Sequence, residues 1–203
     1  MEMRENRELR SEARAALSGK WPVPVGALLV MMVLLTALAG IPVLGGFGTL
    51  LLSGAVATGI CNFFLQFTKT GEPVFEEVFA GFRVFVKAFA IHVITSVIIL
   101  LWTLLLVVPG IIAAIRYSQV YFILAENPDM DLQEVLERSK SMMEGFKGRY
   151  FLLQLSFFGW MLVCVFTLGI GFLFLGPYVA QTLTLFYRER RIAYDAGYGM
   201  DRL

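Results

Sequence analysis

Apolar and polar positions divide the chain into three long apolar runs separated by short charged segments. Trp21 to Thr68, Ala88 to Ala125 and Tyr150 to Tyr187 hold almost no charge, the one exception being Arg116. At 1.5 Å rise per residue the shortest run would make a helix of roughly 57 Å, about twice the ~30 Å hydrocarbon core of a bilayer, so each run must fold back once. Helix breakers lie where the reversals are needed: Gly40, Pro42, Gly45, Gly46 and Gly48 in the first run, Pro109 and Gly110 in the second, and Gly169, Gly171, Gly176 and Pro177 in the third. The pattern predicts an all-α fold, a polytopic membrane helical bundle of six transmembrane helices built as three hairpins.

Residues 1–203 then read as a single membrane domain. Its parts are a cytoplasmic amphipathic N-terminal helix (1–20), hairpin one (21–68), a surface helix (69–87), hairpin two (88–125), a second surface helix (126–149), hairpin three (150–187) and a cytoplasmic tail (188–203). The segments outside the hairpins hold every acidic residue and sixteen of the seventeen Lys and Arg residues, while no charge sits at a hairpin bend. An even number of spans puts all these segments on one side, and the positive-inside rule makes that side the cytoplasm. Trp21, Tyr150 and Tyr187 fall at the inner ends of spans, and Tyr178 near the outer interface, where amphipathic rings prefer to sit. Small residues four apart in the second span, Gly54 with Thr58 and Ala55 with Gly59, would admit another helix close to the backbone.

The charged segments carry their own periodicity. Phe75, Val78, Phe79, Phe82, Phe85, Val86 and Phe89 follow helical spacing with Glu76, Glu77, Arg83 and Lys87 off the stripe, as in an in-plane amphipathic helix. Asp131, followed three residues later by Glu134, starts a second such helix, buried through Leu132, Val135, Leu136, Ser139, Met143 and Phe146, with Glu134 and Arg138 spaced to pair. A weaker version runs through Leu9, Ala13, Ala16 and Leu17. Together these give a threefold degenerate repeat of surface helix plus hairpin; a shared membrane constraint would produce the same likeness. Such helices either dock a cytosolic partner or anionic headgroups, or seal the inner rim of the bundle. Six acidic against four basic residues from Glu126 to Arg149 disfavour electrostatic capture of lipid.

Composition agrees with lipid as the solvent: 58% of the 203 residues are hydrophobic and 16% charged, with a mean hydropathy of +0.72. A net charge of +1 and the lack of a basic run argue against nucleic acid. Cys61 and Cys164 sit in separate apolar runs with no CxxC, so neither a disulfide nor a metal site is expected, and nothing calls for a cofactor. The first twenty residues alternate acid and base, unlike a secretory signal peptide.

The run LLLVVPGIIAAIRYSQVYFILAENPDM, followed by EVLERSKSMMEGFKGRYFLLQLSFFGWMLV and TLGIGFLFLGPYVAQTLTLFY, closely resembles a bacterial family of integral membrane proteins catalogued as domain of unknown function 975. ARAALSGKW and GEPVFEEVFAGF fit as well, so the resemblance covers nearly the whole chain. It implies a multi-span protein of the bacterial inner (cytoplasmic) membrane, similar to the membrane domain attached to some glycerophosphodiester phosphodiesterases. It names no reaction, and no phosphodiesterase catalytic domain is present, since the chain has a single histidine and no acidic cluster outside its short cytoplasmic segments.

Arg116 is the one permanent charge inside a predicted span, and its burial in lipid costs at least ~2.5 kcal/mol. Two readings stand: it faces the bundle interior, with Gln119 and Ile123 near its face and Tyr117 and Tyr121 adjacent, or it snorkels to the headgroups. Arg116, Gln119, Tyr117, Tyr121 and His92 form the candidate ligand-binding set, with His92 either a proton carrier or a packing residue. Asn62, Gln66, Gln154 and Gln181 join helices or line a cavity. Ser139, Lys140, Gly145, Lys147 and Arg149 form a candidate contact for a cytosolic partner; the competing reading gives Gly145 the task of ending the surface helix. No catalytic constellation is legible. The sequence therefore points to a non-enzymatic protein that binds membrane lipids or a membrane or cytosolic protein partner. The alternative is a small transporter or channel for an anionic or lipidic solute.

Overall fold

A computed structural model describes residues 5–41, 44–167 and 169–200. Among them every regular element is helical: α1 (Asn6–Leu17), α2 (Pro22–Ala39), α3 (Leu44–Thr70), a 3₁₀ helix (Phe75–Val84), α4 (Phe85–Leu105), α5 (Val107–Arg116), α6 (Val120–Glu126), α7 (Leu132–Met142), α8 (Lys147–Phe166) and α9 (Gly171–Met200). Five stretches are long and apolar enough to cross a bilayer: Pro22–Ala39, Gly45–Thr70, Phe75–Leu105, Val107–Glu126 and Lys147–Phe166. They leave large apolar side chains uncovered, among them Met32, Leu104, Leu152, Phe158 and Phe166, as lipid-facing helices do.

The long helix α9 is not one of the five, and its polar residues explain why. Gln181, Thr182 and Thr184 lower its apolar character, yet all three are fully buried. Thr182 and Thr184 donate their hydroxyls to the carbonyls of Tyr178 and Ala180, and Gln181 donates to the Thr68 hydroxyl at 3.0 Å. Together with buried Leu175, Tyr178, Leu185, Phe186 and Tyr187, they set much of α9 against protein. It packs against α1, α2, α3, α7 and α8.

The reversals follow the breakers with one shift. Gly40 caps α2, and a Cβ on Gly45 would lie 2.5 Å from the Ala39 carbonyl oxygen, so that turn needs glycine; Pro42 lies outside the described residues. The second reversal falls at Leu106, which is extended (φ −161°, ψ 143°), rather than at Pro109-Gly110. Pro109 instead occupies the first turn of α5, where its missing N–H leaves no hydrogen bond unmade. Gly169 takes φ +87° at the third bend, whereas Pro177 lies inside α9. The fourth span is interrupted at Tyr117–Gln119, so Arg116, Gln119 and Ile123 do not share one continuous helical face.

The three amphipathic segments pack on protein. Phe75–Val84 is 3₁₀, not α, and three residues per turn stack Phe75, Val78, Gly81 and Val84 in one row. That row lies on α3 at backbone contact: a Cβ on Gly59 would meet the Val78 carbonyl oxygen at 2.0 Å, and one on Gly81 the Ala55 carbonyl oxygen at 1.9 Å. On α7, Asp131 caps the helix through Gln133 N, but Arg138 pairs with Asp195 at 2.7 Å rather than with Glu134.

α1 runs antiparallel along α9 with Leu9, Ala13 and Leu17 fully buried. Its path is marked by Asn6 at Arg149, which in turn pairs with Glu189, then Arg14 at Tyr178, and finally Trp21 at Phe174. This corrects the placement of Trp21 and Tyr178 at opposite interfaces. Both belong to one groove, because α1 climbs beside α9 before α2 begins.

Candidate functional site

The elbow between α1 and α2 and the hairpin of α8 and α9 enclose a groove of about 400 Å³. Gly19, at φ +76°, makes the elbow possible by turning the chain where an L side chain would be strained. Trp21 then lies edge-on to Phe174 at 5.9 Å between centroids, a contact worth ~0.5–1.5 kcal/mol beyond burial. On the other wall Gly171 presses against Cys164, where a Cβ would fall 2.7 Å from Sγ. Trp160, Val163, Phe174 and Leu175 supply apolar lining, and Arg14 is the only charged residue among the described residues of its walls. The Arg14 guanidinium lies 5.6 Å from the centre of the Tyr178 ring and donates to its hydroxyl at 3.4 Å. Arg14 is exposed and forms no ion pair among the described residues.

A largely apolar groove with one guanidinium on its wall can hold an acyl chain and an anionic headgroup. Among the described residues that line it, no nucleophile stands beside a base. Cys164 is a free, buried thiol, and Thr167 donates to the Cys164 carbonyl while accepting from Gly171 N. Among the described residues no three His, Cys, Asp or Glu side chains gather where a metal could sit.

The ligand-binding candidates read from the sequence divide into two places. His92 Nδ1 lies 2.7 Å from the Tyr121 hydroxyl, tying α4 to α6. Arg116 ends α5 at the break; its carbonyl accepts the Ser139 hydroxyl at 2.8 Å, and its Nε is buried without a hydrogen-bond partner. Gln119 is buried, its Nε2 donating to the Ser118 hydroxyl and its Oε1 unpartnered, while Tyr117 is half-buried against the cluster around Ile123 and Tyr187. None of the five lines the Arg14 groove.

The family model described as "Protein of unknown function (DUF975)" matches residues 1–116 and 103–193. The chain belongs to that family. No curated protein and no solved structure matches it.

In this family member the five partner-contact candidates are not equivalent. Ser139 is fully buried on Arg116, and Arg149 is held between Asn6, Glu189 and the Phe186 ring. Lys140 and Gly145 are exposed and Lys147 half-exposed, with Gly145 at φ +76° closing the turn before α8. Sequence reasoning missed an ionic node at the end of α6: buried Glu126 accepts from the Tyr187 hydroxyl at 2.8 Å and pairs with Arg191 and Lys69. The hydrogen bond that Arg191 donates to Glu126 holds its guanidinium above its ordinary pKa. Arg190 was missed too: it is buried, donates twice to the Met142 carbonyl and lies 3.4 Å from the centre of the Phe146 ring, and burial followed by Arg149 pulls its pKa down. The only signal for either was position, Glu126 directly after the second apolar run and Arg190 within the charged cluster that follows the third.

Proposed function

We propose that the chain is a six-span protein of the bacterial inner membrane, with both termini cytoplasmic, that acts without catalysis by holding an anionic phospholipid in the Arg14 groove. The observation that carries this reading is a single exposed guanidinium lining a largely apolar groove of about 400 Å³. An acyl chain lying between Trp160 and Phe174 would gain ~25 cal/mol per Å² buried, and a phosphate on Arg14 would add a charge-assisted hydrogen bond. The sixth crossing is α9, whose polar residues face protein and therefore need no lipid-facing apolar surface. Exposed Lys140 and Gly145, with Lys147 beside them, leave the end of α7 open to a cytosolic protein partner.

The test is native mass spectrometry of the delipidated protein titrated with phosphatidylglycerol or with diacylglycerol of the same chains. Arg14→Gln should weaken phosphatidylglycerol binding at least tenfold and leave diacylglycerol unchanged. Equal loss of both lipids, or of neither, would count against the reading.

The break in the fourth span favours a second reading, a small carrier for an anionic or lipidic solute. Irregular backbone within a span is tolerated where it is buried in protein or lines a cavity, and here it carries the unpartnered Nε of Arg116 and Oε1 of Gln119. Arg116→Ala would then abolish anion flux into reconstituted vesicles while leaving the protein folded; unchanged flux removes the reading.

A further inference from the structure

A second cleft, of about 240 Å³, lies away from the Arg14 groove between α3, the 3₁₀ helix and α6, and the periodicities of its walls determine what faces it. On α3 the polar residues Thr58, Asn62 and Gln66 recur every fourth position and all line the cleft. Opposite them, three residues per turn put Glu77, Ala80 and Arg83 in one row, and all three line it as well. An α-helix would have turned Arg83 well away from Glu77, so the 3₁₀ geometry is what brings both charges to the same edge. Ala80 between them leaves the space open.

Neither charge is satisfied by the other. Glu77 accepts from Asn62 Nδ2 at 2.7 Å but forms no ion pair among the described residues. Arg83 is exposed and has no hydrogen-bond or ion-pair partner among them. A lone cation would be attracted by Glu77 and repelled by Arg83, and a lone anion the reverse; a molecule carrying both signs suits both. The cleft falls below the ~300 Å³ at which drug-sized sites begin, which limits the occupant to something about as large as a headgroup. Arg83 also borders an adjoining recess with Val86, Lys87, Pro128 and Asp129. There Lys87 is already engaged by the Pro128 and Met130 carbonyls, so Arg83 is the cation left to take an anion. Val86 and Phe79, 75% and 41% exposed, flank the segment with apolar surface, which suits an amphiphile.

We infer that this cleft binds an ammonium–phosphate zwitterion of the phosphoethanolamine class, with the ammonium on Glu77 and Asn62 and the phosphate on Arg83. A guanidinium matches a phosphate bidentately, and a carboxylate with amide oxygens matches a primary ammonium. This inference does not depend on the Arg14 groove.

The test uses the full chain, delipidated in detergent and carrying Arg14→Gln so that the groove does not contribute, with native mass spectrometry as the readout. Short-chain phosphatidylethanolamine is titrated against phosphatidylglycerol, with O-phosphoethanolamine as a soluble competitor. Phosphatidylethanolamine should bind better, and Glu77→Gln and Arg83→Gln should each weaken it at least tenfold without changing the phosphatidylglycerol signal. Competition by O-phosphoethanolamine would identify a free solute as the source of the headgroup chemistry; selective binding without competition would identify the lipid. Glu77→Gln keeps an acceptor for Asn62, and Arg83 has no hydrogen-bond or ion-pair partner among the described residues, so a folding defect in the first leaves the second as the test. Equal binding of the two lipids, or wild-type affinity in Arg83→Gln, overturns the inference, whatever the outcome at Arg14.

Discussion

Replacing Gly81 by alanine should destabilise the protein more than a single methyl group ordinarily does. The added Cβ would stand 1.9 Å from the Ala55 carbonyl oxygen and 2.5 Å from Gly59 N. Both are backbone atoms of α3, which cannot rotate aside as a side-chain tip can, so the 3₁₀ helix must lift off by more than an ångström. Lifting it opens the Val78 and Gly81 seam, where both residues are buried. Overpacking costs ~1–3 kcal/mol, and a clash with rigid backbone belongs at the upper end, about 3 kcal/mol. For a chain of this size each kcal/mol moves Tm by ~2–4 °C, so the melting temperature should fall by about 6–12 °C. The assay is intrinsic-fluorescence melting of the purified protein in detergent, with Gly159→Ala as the control, since a Cβ there meets nothing within 4 Å. A Gly81→Ala protein that melts with the wild type would refute the close approach of the two segments and the row of side chains built upon it.

Glu126→Ala should cost about 2 kcal/mol, chiefly by stranding the buried Tyr187 hydroxyl, because Arg191 and Lys69 are exposed enough to regain water; Glu126→Gln, which keeps an acceptor for Tyr187, should recover part of that loss in the same melting assay. A double-mutant cycle of His92→Phe and Tyr121→Phe should give a coupling of about 1 kcal/mol, whereas additivity would show that the 2.7 Å contact contributes nothing. Cysteine placed at Glu137 on a Cys61→Ala, Cys164→Ala background should resist a membrane-impermeant thiol reagent in intact spheroplasts, while cysteine at Leu104 beside the second bend should react. The opposite pattern would reverse the assigned sidedness.

Periodicity and charge carried the helical character, the apolar runs and the approximate bends, because a bilayer penalises ions and open backbone wherever they fall. What they could not carry was which surfaces meet. Leu9, Ala13 and Leu17 make the same stripe whether a helix lies on lipid or along α9, so the inward course of α1 was not legible. Phe75 and Val78 suit α and 3₁₀ spacing alike, but Phe82 fits α spacing alone, whereas the 3₁₀ row continues through Gly81, which meets Ala55 and Gly59. That ambiguity hid the shared edge of Glu77 and Arg83. Arg116 stood out as a charge in an apolar run, but the turn at Tyr117–Gln119 that separates it from Gln119 has no glycine or proline to announce it. Arg14 lies off the stripe of Leu9, Ala13 and Leu17 like the other bases of α1, and nothing in the sequence sets it beside Tyr178.

The most direct test of the account is an experimental density map of the protein purified in native lipid. Continuous density for an acyl chain between Trp21, Trp160 and Phe174, ending in a phosphate within hydrogen-bonding reach of Arg14, is the predicted result. A groove closed by its own side chains, or an Arg14 paired with a carboxylate of the protein, would contradict it.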